Sequence, residues 1–139
     1  VVQTFGITIS LSTNRYFIIE NLTDKNGKFK GGRLIDISEL SLEINIESIL
    51  IELRNILKDF NTIDIVQFDN MIYQEDGGDF KLCPIVEINY RKTMGSVIKH
   101  ITDTLGHGTL YFGDRSDLSR DSIILSPDFV RNICYFNRA

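Results

Sequence analysis

Alternating apolar and polar positions mark strands along the first third of this chain. Residues 2–11 and 15–22 are two β-rich runs, separated by the turn-formers Ser12, Thr13 and Asn14. The polar cluster Thr23-Asp24-Lys25-Asn26-Gly27 follows, and its Asn-Gly pair is a hairpin signal. Residues 28–34 set Lys28, Lys30 and Arg33 around a glycine pair, which reads as a solvated loop face rather than a phosphate site. Over 45–60 the period changes to that of a helix. Ile46, Ile49, Leu50, Leu53, Ile56, Leu57 and Phe60 form a core stripe, Asn45 is placed to cap it, Glu47 favours its positive end, and Arg54 and Lys58 come late. Residues 63–73 and 80–89 read as two strands of a hairpin around Asp76-Gly77-Gly78. Pro84 has no amide proton, so it belongs at a bulge or an unpaired edge position. A second helix is predicted over 93–105, with Thr93 as cap, Met94, Val97, Ile98, Ile101 and Leu105 buried, and Gly106 as the stop. Beyond it, 109–112 and 122–125 read as short strands and 127–134 as a helical turn. The fold expected is α+β: an antiparallel sheet of about five or six strands with two main helices packed on one face, as a single domain over 1–139.

Composition narrows the function classes. The chain has 139 residues and a formal net charge of −4, with 42% hydrophobic residues, as in an ordinary soluble domain. That acidic balance argues against non-specific nucleic-acid binding, which calls for a basic face. No apolar run is long enough to span a bilayer and no signal peptide opens the chain, so no membrane partner and a cytoplasmic location are expected. Cys83 and Cys134 lack Cys or His neighbours at ligand spacing, and are read as reduced thiols. The chain starts at Val1 and is strand-like from its first residues, so it is expected to be a fragment of a longer protein.

One strand carries candidate chemistry. Strand alternation over 84–91 puts Glu87, Asn89 and Arg91 on one side. With an odd hairpin loop (76–78 or 75–79), Asp69 falls on that same side, opposite Ile85 and diagonal to Glu87. An even loop turns Asp69 away unless a bulge intervenes. With the odd loop, Asp69, Glu87 and Asn89 converge as hard oxygen donors suited to magnesium, which takes part of its shell from water and substrate phosphates. Arg91 would offer a guanidinium for a phosphoryl group. Two plainer readings stand beside this: the wet face of a half-buried sheet, and a surface ion-pair network. His100 and His107 read as solvated, and the mixed charges Asp114, Arg115, Asp117 and Arg120 as a surface loop.

The run Val86-Glu87-Ile88-Asn89-Tyr90-Arg91, preceded by the Phe68-Asp69 strand, resembles the C-terminal lobe of the ATP-grasp superfamily. These are mostly ATP-dependent ligases joining a carboxylate to an amine or thiol through an acyl phosphate. The order of turn, long helix and hairpin over about residues 1–105 is similar too, and Arg91-Lys92-Thr93-Met94-Gly95 looks like a pattern of an uncharacterised subgroup. The resemblance implies that Asp69, Glu87 and Asn89 hold Mg2+ or Mn2+, that Asn89 and Arg91 contact ATP, and that Arg91 is catalytic, stabilising the charge that develops in transfer. It also implies small carboxylate and amine substrates. The chain differs at Tyr90, where proline is common, and at Gln67, where many relatives place a phosphate-contacting arginine. The lysine-bearing, glycine-rich N-terminal lobe of such enzymes is not contained in this sequence, so negligible turnover is expected of this chain alone. A non-catalytic interaction module on the same scaffold is the alternative. Residues 106–139 acquire no role from the resemblance.

Overall fold

The computed structural model describes residues 1–59 and 64–139; Phe60 and Ile63, assigned above to a helix and a strand, lie outside them. The strands are β1 (Gln3–Ser10), β2 (Tyr16–Thr23), β3 (Phe29–Ile35), β4 (Ile65–Gln74), β5 (Phe80–Asn89), β6 (Gly108–Gly113), β7 (Ser122–Ile124) and β8 (Ile133–Arg138). Helix α1 (Ile46–Leu57) precedes β4, and α2 (Met94–Leu105) follows β5. All eight strands join one sheet in the order β5-β4-β1-β2-β3-β6-β8-β7, antiparallel throughout. Among the described residues the architecture is α+β as expected, with eight strands in the sheet rather than five or six.

β3 and β8 account for most of the difference. The pattern of β3 is hidden by its glycines and cations, which serve close packing. Gly31 has φ +152°, and a Cβ there would fall 2.0 Å from the Leu110 carbonyl oxygen of β6. At Gly32 a Cβ would fall 2.9 Å from Ile98 Cδ1 of α2. Arg33 is no solvated loop cation: its guanidinium bridges Glu20 at 2.7 Å and Glu39 at 2.6 Å. Within 127–134 the chain makes a single turn, with the Val130 amide donating to the Pro127 carbonyl at 3.3 Å, and then enters β8 at Ile133. Ile133, Tyr135 and Phe136 are all buried there, so no alternation shows.

The two helices lie on opposite faces of the sheet, which corrects the expectation of one shared face. Ile7 of β1 pairs with Ile18 of β2, and both belong to the core that contains Ile46, Ile49, Leu50, Leu53 and Leu57 of α1. Ile19, one residue on, points the other way and packs with Ile98 of α2, Leu110 and Phe136. The α1 face is the larger core, built on Phe5, Ile7, Ile9, Val66 and Phe68, none of them exposed. α1 starts as anticipated, with the Asn45 side chain accepting from the Ser48 amide at 3.2 Å, a cap worth about 1 kcal/mol. Ile56 is exposed, so the stripe is narrower than its sequence.

α2 packs through Ile98, with Ile101 and Leu105 against the same core as expected. Its sheet-facing side is completed by Gly95 and Thr102, whereas Met94 and Val97 are exposed. A small residue and a threonine at the contact carry no hydrophobic signal, so periodicity could not select them. Cys83 and Cys134 are both free thiols. Among the described residues no helix is long and apolar enough to cross a membrane.

Candidate functional site

β4 and β5 pair with Gln67 opposite Asn89 and Asp69 opposite Glu87, then, beyond an irregularity, Met71 opposite Cys83. Between these pairs Pro84, Ile85 and Val86 of β5 face Asn70 alone. The bulge sits where proline cannot donate to the ladder, as its position predicts. Asn70, buried at the bulge, turns its amide Nδ2 to the Phe68 carbonyl at 2.9 Å. Because the bulge adds an even number of residues, it preserves the facing of the strand while sliding its register. Asp69 therefore lies directly across from Glu87, not opposite Ile85 and diagonal to Glu87.

Asp69 is partly buried and Glu87 exposed, both on the α2 side of the sheet. Asn89 donates from Nδ2 to Asp69 Oδ2 at 3.3 Å, which leaves its Oδ1 carbonyl available. Gln67 donates from Nε2 to Asp69 Oδ1 at 2.9 Å, and the Asn21 amide of β2 also bonds to Asp69. Asn21 pairs with Thr4 and so reaches Asp69 diagonally across β1, past Gly6, which is the residue opposite Asp69. A Cβ there would lie 3.0 Å from both Asp69 Oδ1 and Gln67 Nε2.

The charge in this group is uncompensated. Among the described residues no lysine or arginine pairs with Asp69 or Glu87. Burial pushes the Asp69 carboxyl above its ordinary pKa, Glu87 adds to the rise, and the Gln67 and Asn21 hydrogen bonds oppose it without cancelling it. An acid whose pKa is raised by folding binds its proton more tightly in the native state. Stability is then unaffected below the ordinary value of 3.8 and falls as pH rises through the raised one. In chelator-treated protein, Asp69→Asn is accordingly expected to gain melting temperature relative to the native chain as pH rises above the ordinary carboxyl value of 3.8. Parallel pH profiles from thermal melts would show that Asp69 carries no such penalty.

Arg91 is not part of the strand row. β5 ends at Asn89, so alternation no longer sets its direction. Its side chain is exposed and lines a groove with Phe17, Ile65, Thr93, Val97 and Lys99, beside the start of α2. The three oxygen-bearing residues proposed from sequence thus come together, and the cation stands in the adjoining groove.

Thr8, Thr93 and Asn21 carry no signal of their own in the sequence. Gln67 does: its place two residues before Asp69 on the same strand puts it on the same face. Thr93 occupies the N-cap position of α2, but its hydroxyl makes no cap and donates to Gln67 Oε1 instead. His100 and His107 are exposed, as expected. No group of three or more His, Cys, Asp or Glu side chains gathers among the described residues, so the donor set is two carboxylates with amides. No family model, curated protein or solved structure matches the chain.

Proposed function

We propose that this chain is the metal- and nucleotide-binding C-terminal lobe of an ATP-grasp ligase, in which Asp69, Glu87 and Asn89 hold Mg2+ or Mn2+ against the phosphates of ATP. One observation carries the reading: two carboxylates face each other across a strand pair with an amide beside them, and among the described residues no lysine or arginine is paired with them. Like charges brought together in a half-buried place are costly unless a positive ligand offsets them. Hard oxygen donors of this kind suit magnesium or manganese better than softer ions. Gly6 keeps side-chain atoms away from the carboxylate, and the free Oδ1 of Asn89 completes a donor set that fits the ion.

The ion's part is to offset charge on the triphosphate. The remaining work falls to the chain's own groups. Asp69, Glu87 and Asn89 would hold the ion, while Arg91 contacts from its groove the phosphoryl group that passes from ATP to the substrate carboxylate, ADP leaving and an acyl phosphate forming. The groove is open and lined by Phe17, Ile65 and Val97 together with Lys92 and Lys99, cations that suit a small carboxylate substrate. An amine or thiol then displaces phosphate from the acyl carbon. Turnover in this reading requires a second, N-terminal lobe that closes over the nucleotide.

Titration of the chain with Mn2+ in the presence of ATP, followed by the paramagnetic resonance of the free ion, tests the assignment. Glu87→Gln and Asn89→Ala are each expected to weaken binding about tenfold or more while the fold is retained. Unchanged affinity in both variants would remove the metal centre from the protein.

A further inference from the structure

We infer that Gln67 is the positioning residue of the acidic site, fixing the Asp69 carboxylate towards Glu87 and tying that orientation to the seating of α2. The inference rests on the metal-site reading and adds a part that the donor set does not contain.

Gln67 is buried at 8% exposure between the sheet and the first turn of α2. Its Oε1 accepts from the Thr8 hydroxyl at 3.3 Å and from the Thr93 hydroxyl, while its Nε2 donates to Asp69 Oδ1 at 2.9 Å. The amide has only one sensible orientation. Reversed, its oxygen would face a carboxylate oxygen with no proton between them. Ionised Asp69 therefore decides which end of Gln67 meets the two hydroxyls, and both hydroxyls must donate.

The cavity around this amide is made by two glycines on separate elements. A Cβ at Gly95 would lie 2.5 Å from Gln67 Oε1, and one at Gly6 would lie 3.0 Å from Gln67 Nε2. The first turn of α2 thus rests directly on Gln67. Thr93, at the position where its hydroxyl would ordinarily cap the helix, gives that hydroxyl to Gln67. Helix stability alone would favour the cap. The observed arrangement instead runs an unbroken line of hydrogen bonds from the helix start through Gln67 to the carboxylate. With a neutral amide in this place, Asp69 is held by a donor that adds no charge and leaves both carboxylates for the ion.

The test compares Mn2+ affinity with stability in the whole chain. Gln67→Leu keeps bulk and removes all three hydrogen bonds; Thr93→Val keeps shape and removes only the anchor on the helix side. Ile7→Val, in the core of the opposite face, serves as a control for destabilisation without contact with the site. Positioning through Gln67 requires Gln67→Leu to weaken Mn2+ about tenfold and Thr93→Val to weaken it severalfold at a temperature where both are folded, with Ile7→Val unchanged. Native-like affinity in folded Gln67→Leu would reduce Gln67 to a packing role and overturn the inference while leaving the metal centre intact. If Gln67→Leu does not fold, Thr93→Val decides, and native affinity there overturns the inference in the same way. A native chain that binds no Mn2+ removes the metal reading and this inference together.

Discussion

Gly31→Ala is expected to lower stability by about 4 kcal/mol, enough to leave a marginal domain largely unfolded near body temperature. Two effects combine. At φ +152° the residue occupies backbone space that side chains rarely adopt, and a Cβ would sit 2.0 Å from the Leu110 carbonyl oxygen, well inside contact distance. Relief requires β6 to move away from β3, and β8 and β7 follow because they join the sheet only through β6. Gly27→Ala provides the contrast, with φ +79° and no atom within 4 Å of an added Cβ. It should cost about 1 kcal/mol from backbone strain alone. Urea midpoints of the two variants separate overlap from strain, and similar midpoints would mean that β3 and β6 yield easily.

Phe68→Ala is the second large effect, expected at about 3–5 kcal/mol. The ring has no exposure and sits in the α1 core among Ile7, Val66 and Leu53. It also occupies β4 between Gln67 and Asp69, which point to the opposite side. The substitution therefore leaves the acidic face chemically intact while loosening the strand beneath it. Denaturant unfolding gives the cost, and Mn2+ affinity measured on the folded fraction shows whether site geometry depends on that core. A loss under about 1 kcal/mol would mean that α1 settles into the vacated space.

How much of this was legible beforehand varies by element and for physical reasons. α1 was readable because its contacts are aliphatic and its cap is an asparagine, so both helical period and start signal were present. The facing of the β4–β5 hairpin was readable only as a condition on the loop, an odd one putting Asp69 beside Glu87, and the structure has the five-residue loop 75–79. The hairpin's register was not readable, because a bulge's size depends on what the neighbouring strand and the core require. Pro84 marked where the irregularity falls without saying how many residues it takes up. β3 was lost because Gly31 and Gly32 answer to atoms of β6 and α2, which a local window does not contain. The same holds for α2, where Gly95 and Thr102 face the sheet and Met94 and Val97 look more hydrophobic than their surroundings are. At the site, residue types and spacing pointed to Asp69, Glu87 and Asn89. Gln67 entered the sequence argument only as a departure from a pattern, since its partners Thr8 and Thr93 come from distant parts of the chain. Arg91 was aligned with the row by an alternation that stops at Asn89.

β5 is an edge strand of the sheet, hydrogen-bonded to β4 on one side. Glu87 and Asn89 thus ride on a strand held on one flank, whereas Asp69 belongs to a strand held on both. Any ion or nucleotide gripped by all three acts as a clasp between a firm jaw and a loose one. Opening of that margin, with the central strands undisturbed, would release it. In the metal-site reading proposed above, occupancy and the order of the sheet's rim become a single equilibrium.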